Sequence, residues 1–224
     1  MKESRKEEIS LDLRKITFSI IAASVIFGLT GCSQPIDHTL STYSKALEAE
    51  NNGQDQLVTL AGEEKKGQQT YQLLLEKGKA DKKPPEETLK EWKGNIEQRK
   101  QLLDQKKTGI TQAEERLKGI DSEIGKIKSG ELKEKAVKMN QAYQDRIKTF
   151  GDLYGAYEKA FEQEEELVKS FEKVPTDLNE IKTKVTSYND SYQKVNELKN
   201  KLNKETDQFN QAKDSLYQSA VKKG

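Results

Sequence analysis

Along residues 89–127 the side chains fall on a grid of alternating three- and four-residue steps: Leu89, Trp92, Ile96, Arg99, Leu103, Lys106, Ile110, Ala113, Leu117, Ile120, Ile124 and Ile127. All but Arg99 and Lys106 are apolar. Such spacing keeps one stripe turned toward a partner helix over many turns, as in a coiled-coil seam. It predicts one long helix that opens at Pro85, which suits a first helical turn, with Glu86 and Glu87 near its positive end.

A broader face follows. Leu132, Ala136, Met139, Tyr143, Phe150, Leu153, Tyr157, Ala160, Leu167 and Phe171 share one grid, and Ile147, Tyr154, Phe161 and Val168 add a second row at intervals of seven. Three apolar positions per heptad predict a helix packed against two neighbours. Leu178, Ile181, Val185, Tyr188, Tyr192, Val195, Leu202, Phe209, Leu216 and Ala220 repeat the narrower seam. The first arm is the least regular. Ile36, Leu40, Tyr43 and Leu47 run into Asn51-Asn52-Gly53, and the pattern resumes at Leu57, Leu60, Ala61, Tyr71 and Leu74. Gly62 and Gly67 each cost about 1 kcal/mol relative to Ala in a helix. A kink near residue 53 is expected.

Helix-breaking residues are evenly spaced. Lys83-Pro84-Pro85, Ser129-Gly130 and Val174-Pro175-Thr176 place breaks at 85, 130 and 175, two intervals of 45 residues. Four arms of one length with short connections predict an all-α, elongated up-and-down bundle of four long antiparallel helices. Each arm is about 65 Å long at 1.5 Å per residue.

Ahead of the arms, the apolar run Ile16–Gly28 is preceded by Arg14-Lys15 and followed by Leu29-Thr30-Gly31-Cys32. A secretory h-region is ~7–15 residues and a spanning helix about 20, so the run fits a signal peptide and not a membrane span. Small residues before a lone cysteine mark a lipoprotein processing site: Leu29, Thr30 and Gly31 form the cleavage motif and Cys32 takes the diacylglyceryl group. The chain then divides into a signal peptide (1–31), a lipidated tether (32–39) and a helical bundle (40–224). Two acyl chains suffice for stable anchoring. The expected location is the extracytoplasmic face of the cell membrane.

Removing residues 1–31 takes five basic and four acidic side chains from totals of 39 and 38, which leaves 34 of each. No clustered basic excess exists for nucleic acid to bind. With Cys32 lipidated, no thiol is left for disulfide or metal chemistry. The single histidine, His38, excludes the histidine pairs of catalytic zinc sites and of di-iron bundles, and it reads as an exposed tether residue. No cofactor is expected, and no enzyme. The run Glu162, Glu164, Glu165 and Glu166 reads as a solvated helix face.

Three features remain as candidates. Lys77, Lys79, Lys82 and Lys83 fall at the connection farthest from the anchor, where lysines meet anionic wall polymers in a salt-sensitive contact. Tyr154 and Phe161, on the secondary row of the third arm, are the candidate partner surface. Arg99 and Lys106, the two interruptions of the second arm, either mark register or line an internal polar pocket.

Leu29-Thr30-Gly31-Cys32, Tyr154-Gly155-Ala156-Tyr157, Tyr188-Asn189-Asp190-Ser191-Tyr192 and Phe209-Asn210-Gln211-Ala212-Lys213 together resemble the YkyA-like lipoproteins of Gram-positive bacteria, over nearly the whole chain after the lipobox. The resemblance implies a helical-bundle lipoprotein lying between membrane and wall, with wall binding as its role, and carries over no catalytic residue. The expected function is a lipid-anchored, non-catalytic bundle that contacts the cell wall or an envelope component. The alternative is a scaffold that docks another secreted or membrane protein through an exposed apolar strip. The pattern leaves oligomeric state open.

Overall fold

The computed structural model describes residues 35–51, 56–81, 85–173 and 178–222, with the backbone alone for 75–81 and 178. Six helices follow in order: α1 (Pro35–Asn51), α2 (Gln56–Asp81), α3 (Glu86–Arg116), α4 (Ile120–Gly125), α5 (Gly130–Glu172) and α6 (Leu178–Val221). They make the expected all-α bundle. The first arm is α1 followed by α2, the second is α3 followed by α4, and α5 and α6 are single long helices. The α5–α6 pair packs most extensively, α3 packs on α1, α2 and α5, and α4 lies between α1 and α5.

All twelve grid positions of the second arm are buried, Arg99 and Lys106 included. The expected single helix, however, stops at Arg116. Leu117 to Gly119 form a turn in which Gly119 has φ 81°, a left-handed conformation that glycine adopts without a Cβ penalty. The spacing survives because the short α4 presents Ile120 and Ile124 to the same core that receives Leu117 and Ile127. Ser129 caps α5, its hydroxyl accepting from the Leu132 N–H.

The kink expected near residue 53 lies outside the described residues, which end at Asn51 in α1 and resume at Gln56 in α2. Helix α1 begins at Pro35, ahead of the expected boundary at 40, and Ile36 packs beside Leu40. His38 projects outward, with Nδ1 3.8 Å from a Glu123 carboxylate oxygen of α4. The interior forms two apolar clusters end to end. One gathers α1, α4, the end of α3, the start of α5 and the end of α6 around Tyr43, Met139, Tyr143 and Phe209. The other gathers α2, the start of α3, the end of α5 and the start of α6 around Trp92, Tyr157, Phe161 and Phe171.

Candidate functional site

Between the two clusters each arm contributes one charged residue where its apolar grid is broken. Lys106 stands between Leu103 and Ile110, Arg146 between Tyr143 and Phe150, Glu205 between Leu202 and Phe209, and Glu50 follows Ala46 and Ala49 at the end of α1. The Lys106 ammonium donates to Glu50 Oε1 at 2.9 Å and to Asn51 Oδ1 at 3.1 Å. Arg146 Nη1 donates to the same Glu50 oxygen at 2.9 Å, and Nη2 closes a bidentate pair on Oε2. The Arg146 guanidinium also lies 5.1 Å from the Tyr143 ring centre and 5.4 Å from that of Phe209.

Burial pushes the Glu50 carboxyl up, but Arg146 and Lys106 outweigh it and hold the group down at about 2. Lys106 Nζ also reaches the Glu50 carbonyl oxygen at 3.5 Å, near the C-terminal end of α1, where a cation is favourable. Gly109 makes the approach feasible: an added Cβ there would lie 2.5 Å from the Glu50 carbonyl oxygen and 3.1 Å from that of Ala49.

Farther along, Glu164 of α5 is 1% exposed and fully engaged. Its Oε1 accepts from Arg99 Nη2 at 2.6 Å and from the Trp92 indole N–H at 2.5 Å, and its Oε2 accepts from the Tyr192 hydroxyl at 2.6 Å. Arg99 Nη1 donates back to the Tyr192 oxygen at 2.5 Å. Burial pushes the Arg99 guanidinium down, while Tyr192 and Glu164 raise it further than burial lowers it. A third buried pair joins Glu64 of α2 to Lys199 of α6, with the Tyr157 hydroxyl donating to the same carboxylate at 2.7 Å.

Glu164 therefore corrects the reading of residues 162–166 as a wholly solvated face. It continues the step Tyr157–Ala160–Glu164–Leu167–Phe171, which was the overlooked signal. Arg99 and Lys106 point inward, and ion pairs, not an open pocket, surround them. Among the described residues no three His, Cys, Asp or Glu side chains converge on a metal-sized space. Such networks fix register and helix pairing; they leave the Glu50 and Glu164 carboxylates no open face for a substrate.

The other sequence candidates separate. Phe161 is 2% exposed and stacked on Tyr157, so it belongs to the core and not to a surface. Tyr154 is half-buried at a shallow groove between α3 and α5, where its hydroxyl donates to Asp104 at 2.7 Å and the Lys107 ammonium lies 3.8 Å from its ring centre. Lys77 and Lys79 fall within α2 and not in a loop. Lys82 and Lys83 lie outside the described residues, as do Leu29, Thr30, Gly31 and Cys32.

Residues 34–219 match a family described as "Putative cell-wall binding lipoprotein", YkyA. The chain belongs to the YkyA family. A similar protein is "Uncharacterized lipoprotein YkyA" of Bacillus subtilis (strain 168), 25% identical over 194 residues, which covers 86% of this chain and 87% of that protein. No solved structure matches. The YkyA family is described by binding and by lipid attachment, not by a reaction. Among the described residues no helix is long and apolar enough to cross a membrane.

Proposed function

We propose that this protein is a lipid-anchored mast that binds the cell wall without catalysing a reaction. In this reading the chain is cut after Gly31, Cys32 carries diacylglycerol at the outer face of the membrane, and the bundle rises from there as a rigid body. The observation that carries the reading is the match of residues 34–219 to a family described as binding the wall. The interior supports it, since the Glu50, Glu64 and Glu164 carboxylates are occupied by Lys106 and Arg146, by Lys199, and by Arg99. A bundle in which these three carboxylates are paired offers its surface, not those groups, to a ligand.

Lys77 and Lys79 lie in the last part of α2 and Lys82 and Lys83 follow in the sequence, a basic run for which the wall's anionic polymers are the fitting contact. The test is sedimentation of the mature lipoprotein, kept in detergent, with purified wall sacculi at low and high salt. Retention with the wall is expected, and changing the four lysines to Gln should reduce retention at low salt more than at high salt. Absence from the wall pellet in both buffers would count against the reading. Recovery of a defined envelope protein in its place would favour the scaffold alternative, for which Tyr154, without Phe161, remains as a surface residue.

A further inference from the structure

One helix carries a pattern that the interior does not use. Asn189, Asn196, Asn203 and Asn210 recur at intervals of seven along α6. Beside them Gln193 and Asn200 begin a second column at the same interval, continued by two aspartates. Seven residues are close to two helical turns, so each column is a row along the helix, and rows four residues apart lie side by side. The first row is exposed at Asn189 and half-buried below it, and the second is exposed throughout.

Six of the ten asparagines in the chain lie in α6, so the row is a local feature and not a consequence of overall composition. Asparagine is among the poorer helix formers, and four of them in mid-helix weaken α6. Nothing within the described residues compensates, since Asn189, Asn196, Asn200, Asn203 and Asn210 make no side-chain hydrogen bond there.

We propose that this row is the binding face for an uncharged, extended glycan strand whose sugars carry hydroxyl and acetamido groups. An amide donates and accepts at once, which matches hydroxyls and acetamides in either orientation. A charged polymer calls for a row of lysines, and a protein partner calls for a buried aromatic or aliphatic anchor, which neither column contains. The repeat also fits. Seven helical residues rise about 10.5 Å, comparable with one disaccharide of an extended β-1,4-linked strand, so successive asparagines meet chemically equivalent groups. The inference rests on the wall-binding reading above and adds to it a face and a ligand class, with the glycan on α6 and the anionic polymers at the lysine run.

The test changes Asn189, Asn196, Asn203 and Asn210 to Ala together. Alanine is the better helix former, so the variant should melt at or above the temperature of the parent, and lost binding then cannot be lost folding. Mature lipoprotein in detergent is titrated against sacculi before and after acid extraction of the anionic polymers. The parent should bind the extracted glycan with little salt dependence, the variant at least about tenfold more weakly. A control variant with Gln98, Gln101 and Gln105 of α3 changed to Ala should bind as the parent does. Equal affinity of variant and parent overturns the α6 face and leaves the wall reading standing. A parent that binds neither preparation overturns the wall reading, and this inference with it. Unchanged glycan binding together with lost self-association in sedimentation velocity would make the row an interface between copies of this chain, which also overturns the proposal.

Discussion

Near Pro35 the bundle interior is almost dry. Ile36, Leu40, Ile120, Ile124, Met139 and Leu216 pack with Tyr43, Tyr143 and Phe209, and among the described residues no ion pair is buried there; the Tyr43 hydroxyl donates to Asn140 and Asn140 donates to Asp121. Beyond the Glu50 layer the other half encloses whole ion pairs, Arg99 with Glu164 and Glu64 with Lys199, each tied to a tyrosine. The dry half adds the short pieces α1 and α4, set by a glycine turn and by the close fit of Gly109, to the ends of α3, α5 and α6. The charged half joins α2 to long stretches of α3, α5 and α6 and has no short piece. Long helices with a repeating apolar seam can slide by a heptad with little loss of apolar contact. A buried charge that finds its partner at one level alone penalises every other register. Short helices ended by turns need no such device.

The contrast breaks most sharply at Arg99. Replacing Arg99 with Leu leaves Glu164 buried with only neutral donors, and should cost about 3–5 kcal/mol in urea unfolding, whereas Arg99→Met combined with Glu164→Leu should lie close to the parent. A pair that set no register and contributed nothing would show neither the loss nor the rescue.

Acid should act on the layer between the halves. The folded Glu50 value of about 2 lies below the ordinary 4.5, so the folded state prefers the ionised form. Its contribution is complete above about pH 4.5 and is lost as pH falls toward 2. A shift of that size corresponds to about 3 kcal/mol. Glu50→Gln should therefore be less stable than the parent at pH 6 and flatten this part of the acid limb; identical pH profiles would contradict the assignment.

Gly109→Ala places a methyl group against backbone, not against a movable side chain, and should cost about 1–3 kcal/mol through separation of α1 from α3. Hydrogen exchange should then speed up in α1 before α5. The smallest effect belongs to the dry half: Tyr43→Phe removes one marginal hydrogen bond, worth about 1 kcal/mol, with thermal melting as the check.

Much of this organisation was legible in the chain. The arms and the break at Ser129-Gly130 follow from spacing and from helix breakers, and the seam of the second arm reads correctly to the last isoleucine. The turn at Gly119 did not show, because α4 keeps the same three-four spacing on either side of it and a single glycine inside a seam reads as a tolerated defect. Arg99 and Lys106 stood out as charges on an apolar grid. Their partners did not. Glu164 was hidden in a run of glutamates, and Glu50 and Glu64 lie in the irregular first arm, where no grid exposes them. A buried pair joins residues 56 to 135 positions apart, and one-dimensional spacing carries no information about which lysine faces which glutamate. Phe161 shows the opposite error, since a second apolar row suggests an exposed strip until a neighbouring helix covers it.

The proposed lipid on Cys32 is the attachment on which the wall-binding reading rests. Mass spectrometry of the N-terminal peptide, taken from protein recovered from native membranes, addresses it most directly. A peptide that begins at Cys32 and carries the diacylglyceryl mass is the predicted result. An intact segment from Met1 to Gly31 followed by a free Cys32 thiol would contradict it.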